Sequence, residues 1–187
     1  MNNTTNKQFY ENTINKYGVS AKGVHWKNQD TQYKRFEAIS NFIKNDKSTL
    51  IDAGCGFGEY YKYLQLNNYK DINYIGYDCY IKMVDISKKR FQNIVFKHKD
   101  ILNNDLEYAD YYVCSGALNT LNKESIKLFI KRCFKYSKKA FIFNHLSQNS
   151  VSGFTKDELI NYAKTLSSNI KVKDDYLEND FTIVIFN

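Results

Sequence analysis

The chain has 187 residues, with 43% hydrophobic and 25% charged residues and a formal net charge of +7. That is enough for one domain with a core of its own, and it excludes a collagen-like chain, a coiled coil and a disulfide-stapled miniprotein. The longest apolar run, residues 181–186, is far short of the roughly 18 residues that suggest a membrane span.

Residues 1–29 are polar and aperiodic, and are expected to form a partly ordered N-terminal arm ahead of a single domain over 30–187. Phe36, Ile39, Phe42 and Ile43 then recur at helical spacing behind a capping Asp30 or Thr31. Residues 49–52 read as a short buried strand running into three alternating glycines, Gly54, Gly56 and Gly58. A helix is predicted over 59–66, a strand over 73–78, a helix over 81–90 and a short strand over 93–97. A fourth strand covers 110–114. The helix after it carries Ile126, Phe129, Ile130, Cys133 and Phe134 on one stripe. A fifth strand follows over 140–144. Thr155 and Glu158 have the spacing of a capping box, and 170–176 with 181–186 read as a closing hairpin. Strands alternating with helices predict an α/β fold: a doubly wound, seven-stranded sheet, mostly parallel, with a C-terminal antiparallel hairpin and helices on both faces. In such sheets ligands bind beyond the carboxyl ends of the strands, so the residues after each strand are the candidates for function.

The glycine turn is the strongest of these. Glycine lets the backbone turn sharply and approach a ligand without a Cβ in the way, and the helix that follows presents free N–H groups to the same space. A dinucleotide-binding turn has the pattern G-x-G-x-x-G. Here its third position is Glu59, and an acid, Asp52, precedes the first glycine. Carboxylates oppose a pyrophosphate and favour a cation.

Asp52-Ala53-Gly54-Cys55-Gly56-Phe57-Gly58 resembles the first motif of the class I S-adenosylmethionine (SAM)-dependent methyltransferases, whose sheet is Rossmann-like. Asp78-Cys79, Asp100-Ile101 and Cys114-Ser115 follow the second, third and fourth strands at the family's spacing. The resemblance covers roughly residues 30–187 and implies SAM as cofactor, with S-adenosylhomocysteine as product. It implies that Asp78 accepts the ribose hydroxyls, that Asp100 takes the adenine amino group beside the Ile101 N–H, and that Cys114 and Ser115 bind the cofactor through backbone carbonyls near its methionine part, where the substrate pocket begins. Trp26, Arg35-Phe36 and Ser115-Gly116-x-x-Asn119 bring the chain closest to small methyltransferases of this type. Arg35 could then clamp the SAM carboxylate, or be an ordinary surface charge. Trp26 could cover the cofactor or simply pack the arm.

In-line methyl transfer needs a base only where the acceptor must lose a proton. His145, read as following the fifth strand, is the first candidate and His25 the second; His98 reads as structural. The chain has no proline, so neither the Asn/Asp-Pro-Pro-Tyr of amino-group enzymes nor the Pro-Cys of cytosine-carbon enzymes is present. No pair among Cys55, Cys79, Cys114 and Cys133 has C-x-x-C spacing, so no metal site is expected. The start lacks the apolar stretch of an export signal, which predicts a cytoplasmic protein with reduced thiols. Lys123, Lys127, Lys131 and Lys135 form a basic stripe that could meet RNA, yet 24 lysines against three arginines are equally a codon bias. The reading is therefore a methyltransferase for a small-molecule acceptor. The alternatives are an RNA or protein methyltransferase and a non-catalytic SAM-binding regulatory module.

Overall fold

The computed structural model describes residues 29–148 and 150–187. The expected arm, with His25 and Trp26, lies outside them except for Gln29. In chain order the elements are α1 (Gln29–Ser40), β1 (Thr49–Ala53), α2 (Glu59–Leu66), β2 (Asn73–Asp78), α3 (Ile81–Arg90), β3 (Val95–His98) and β4 (Ala109–Ser115). A 3₁₀ turn (Ala117–Thr120), α4 (Lys123–Tyr136), β5 (Ser137–Leu146), α5 (Lys156–Leu166), β6 (Ile170–Lys173) and β7 (Asp180–Phe186) complete the chain. No helix among the described residues is long and apolar enough to cross a membrane.

The strands form one sheet in the order β3-β2-β1-β4-β5-β7-β6. β1 to β5 are mutually parallel, and β7 runs antiparallel to both β5 and β6. Strand order reverses between β1 and β4, so the crevice of a doubly wound sheet opens at their carboxyl ends.

Period-two alternation divides the core into two layers. Ile51, Ala53, Tyr112, Phe141, Phe143 and Ile183 pack under α4 and α5. Leu50, Tyr74, Val113, Ile142 and Val184 pack under α1, α2 and Val84 of α3. α4 earns its place through Ile126, Phe129, Ile130 and Cys133 on its buried stripe, with Asn122 accepting from the Ser125 N–H at its start. α5 begins with the predicted capping box of Thr155 and Glu158.

Two of the boundaries that differ from expectation have a visible cause. α1 ends at Ser40, because the amides of Phe42 and Ile43 bond three residues back and tighten the helix into turns. β5 is ten residues long because β7 pairs with it as far as Leu146↔Asp180. His145 is consequently inside the strand, opposite Phe181, and does not follow it.

Candidate active site

β1 delivers Asp52 and Ala53 to the carboxyl edge, and the chain then turns through Gly54, Gly56 and Gly58, all at positive φ. Gly54 has a second reason to be glycine. A Cβ there would stand 2.5 Å from the Ala117 Cβ of the turn after β4, so the two loops that border the crevice touch backbone to side chain. The amides of Gly54 and Cys55 both donate to the Tyr77 carbonyl of β2, at 2.8 and 2.9 Å.

Asp78 ends β2 and reaches across to this loop. Its Oδ2 accepts the Gly56 N–H at 2.9 Å and its Oδ1 the Tyr80 N–H at 2.8 Å. A carboxylate has about four lone-pair positions, so each oxygen keeps room for one further donor. Burial pushes the Asp78 carboxyl above its usual range, against the pull of those two amides. Asp52 lies one strand away, buried, with its Oδ2 accepting the Tyr74 hydroxyl at 2.6 Å. Burial pushes its carboxyl up to about 7, the Tyr74 bond opposes this and the charge of Asp78 adds to it. Two carboxyls held by amides and a phenol rather than by lysine or arginine make a crevice that suits a cation and two hydroxyls.

The other expected residues divide by location. Cys79 follows Asp78 and is exposed, its thiol pushed up to about 12 chiefly by burial of the sulfur. The His98 ring lies with Nε2 3.0 Å from the Cys79 carbonyl, which fits the structural role read for it. Asp100 caps its own turn: Oδ1 accepts the Leu102 N–H at 2.8 Å and Oδ2 the Asn103 amide at 2.6 Å. The Ile101 side chain is in the core, leaving only its backbone to serve the edge. Cys114 is fully buried as core filler, and Ser115 stands at the end of β4 with its hydroxyl 2.8 Å from Asn144 Oδ1.

Arg35 is buried, not an ordinary surface charge. Its guanidinium bonds both carboxylate oxygens of Asp180, with Nε to Oδ1 at 2.8 Å, and the Thr31 carbonyl at 3.2 Å. The fork expected for a cofactor carboxylate is thus engaged with β7. His145 is fully buried against Phe181. Its Nδ1 lies 2.7 Å from the Leu146 carbonyl, which requires the proton on Nδ1 and leaves Nε2 a lone pair with no partner among the described residues. Burial lowers its pKa, so the ring is neutral.

Several site residues escape a reading of the sequence. Asn144 donates to Thr182 at 2.7 Å and to the Tyr176 hydroxyl at 3.2 Å, joining Ser115 in a neutral polar cluster at the edge of β4, β5 and β7. Asn119, which the sequence did single out in the motif after β4, accepts from the Leu146 N–H at 3.1 Å and ties that turn to β5. On α3, Ser87 and Arg90 bond the glycine loop from behind. Arg90 could have been found: the rarity that singled out Arg35 applies equally to it.

Residues 50–140 match the model of a methyltransferase domain. No curated protein sequence matches the chain. Solved structures do match its fold. The PH0226 protein from Pyrococcus horikoshii is 13% identical with a TM-score of 0.73, over 92% of this chain and 98% of that one. Magnesium protoporphyrin IX methyltransferase from Synechocystis, solved with S-adenosylhomocysteine, is 11% identical with a TM-score of 0.71, over 98% of each chain. A TehB-like SAM-dependent methyltransferase from Corynebacterium glutamicum is 14% identical with a TM-score of 0.68, again over 98% of each.

Proposed function

We propose that this chain is a class I SAM-dependent methyltransferase, as the match of residues 50–140 to a methyltransferase domain supports, and that it transfers the methyl group to a small-molecule acceptor. The observation that carries the reading is Asp78, which grips the Gly56 amide and still has one free acceptor position on each oxygen. Those positions take the two ribose hydroxyls. Asp52 and the 53–58 loop hold the cationic methionine part, Asp100 and the Ile101 N–H serve the adenine, and Cys79 borders it. Arg35 acts through Asp180 rather than on the cofactor.

SAM supplies an electrophilic methyl on a sulfonium leaving group. The protein's task is then to align the acceptor with that methyl and to exclude water. The acceptor side is lined by Ser115, Asn144 and Tyr176, neutral hydrogen-bonding groups already joined to one another. Such a lining suits a compact polar molecule. A polyanion is opposed by the two carboxyls of the crevice, and the lysine stripe is on α4, which covers the opposite face of the sheet from α1 and α2. Lys123 and Lys127 of that stripe are paired with Glu158 and Glu124. The similar Synechocystis enzyme is named for a small-molecule substrate.

His145 serves as base where the acceptor atom carries a proton, with Nε2 as the proton acceptor. The ring is fully buried beside Phe181, and side chains alternate between the faces of a strand, so it points to the opposite face from Asn144 and the acceptor reaches Nε2 only after a local opening of the structure. His145→Ala then lowers the rate about a hundredfold or more at constant SAM affinity; an unchanged rate removes the role.

The deciding experiment incubates the protein with methyl-labelled SAM and a cell extract split into metabolite, RNA and protein fractions. Label in one metabolite is expected. Label confined to RNA or protein, or SAM binding without label in any fraction, overturns the small-molecule reading.

A further inference from the structure

The glycine loop is gripped from behind as well as from the side. The Ser87 hydroxyl of α3 donates to the Gly56 carbonyl at 2.8 Å, and one nitrogen of Arg90 donates to the Phe57 carbonyl at 2.6 Å while another pairs with Glu59. Ser87 is fully buried, and Gly58 lies against Phe91, where a Cβ would come within 2.9 Å. Four of the loop's five amides are occupied: Gly54 and Cys55 by the Tyr77 carbonyl, Gly56 by Asp78 and Gly58 by the Cys55 carbonyl. The Phe57 N–H has no partner among the described residues. A trans peptide is planar, with N–H and C=O on opposite sides. The bond from Ser87 to the Gly56 carbonyl therefore turns the Phe57 N–H of the same peptide away from α3.

We propose that Ser87 and Arg90 are positioning residues that aim the Phe57 N–H at the bound cofactor. This rests on the SAM-binding reading. A buried serine whose hydroxyl goes to a loop carbonyl, and an arginine fork that bridges the next carbonyl to the first residue of α2, fix two successive peptide planes. A loop of three glycines, free to adopt many φ values, would otherwise lose that orientation when empty and regain it at a cost on binding.

The test uses the full chain and four proteins: wild type, Ser87→Ala, Arg90→Met and Arg90→Lys. SAM and S-adenosylhomocysteine affinities are measured by calorimetry well below each variant's unfolding midpoint, so that only folded protein is read. Loss of one such hydrogen bond should weaken SAM binding about 3- to 10-fold. Arg90→Lys, which keeps a donor for the Phe57 carbonyl, should fall between wild type and Arg90→Met. Amide NMR supplies a reading that a purely structural role would not move: the Phe57 N–H should shift and gain exchange protection on adding SAM to wild type, and do so less in Ser87→Ala. Affinities within about twofold of wild type in both Ser87→Ala and Arg90→Met, or a Phe57 amide indifferent to SAM in wild type, overturn the proposal. A wild type that binds no SAM at all defeats the cofactor reading instead.

Discussion

The two halves of the carboxyl edge are built on different terms. Around β1 and β2 the groups are backbone amides and carboxyls with capacity left over: Asp78 holds two amides and can take two more donors, and Asp52 is a buried acid with a phenol as its partner. Around β4, β5 and β7 the polar side chains satisfy one another, with Ser115, Asn144, Thr182 and Tyr176 in one cluster and Arg35 with Asp180 in a closed pair. The first half is prepared for a ligand of fixed chemistry. The second is a finished structure that an acceptor enters by displacing or extending bonds that already exist. Perturbing the second half should therefore cost folding stability, and perturbing the first should cost affinity.

The largest effect falls on the closed pair. Removing one partner of a buried, hydrogen-bonded ion pair leaves an uncompensated charge, at about 3–5 kcal/mol. Arg35→Met and Asp180→Leu should each lower stability by that order in denaturant titrations, and the double variant by less than their sum. SAM affinity, measured where the variants are folded, should hardly change. A large affinity loss in Arg35→Met with little change in stability would return Arg35 to the cofactor and erase the contrast between the halves. Asp78→Ala is the converse. It should weaken SAM binding by about 1–3 kcal/mol, the range for hydrogen bonds to a charged group, as read by calorimetry; unchanged affinity would mean that the ribose lies elsewhere.

What could be read from the sequence follows the same division. The glycine loop, Asp52 and Asp78 were legible because their geometry is local: strand, turn and acid are within a few residues, and period and spacing carry the information. The mostly parallel, seven-stranded architecture was legible for the same reason, each βα unit being contiguous. Arg35–Asp180 spans 145 positions, and nothing local to Asp180 distinguishes it from the other acids of its polar turn. His145 was misjudged through a boundary. β5 reads as ending at Asn144 because the apolar run stops there, yet β7 continues to pair with it, and that pairing buries a residue expected in a loop. Ser87 was illegible, since a serine on a helix face gives no sign that its hydroxyl will meet the carbonyl of a glycine 31 residues earlier.

The smallest effect, and the one that tests the prepared half most finely, is a pH dependence with opposite signs in two readings. Burial holds the Asp52 carboxyl at about 7 instead of its ordinary 3.8, with Tyr74 opposing and Asp78 adding to the rise. A cation binds the ionised form better. SAM affinity should therefore climb as pH rises through 7 and level off above it, with a limiting slope of tenfold per pH unit below 7, or about 1.4 kcal/mol. The ligand-free protein moves the other way. Between pH 4 and 7 the unfolded chain has released a proton that folded Asp52 still holds, so stability falls as pH rises through that window and flattens above it. Asp78, also raised by burial, contributes in the same sense and broadens both transitions. Asp52→Asn should flatten this part of both profiles while preserving an acceptor for the Tyr74 hydroxyl. Its ligand-free unfolding midpoint at pH 8 should rise and its SAM affinity at pH 8 should fall. If both quantities fall together, Asp52 supports the fold and not the cation, and the crevice owes its selectivity to Asp78 and the loop amides alone.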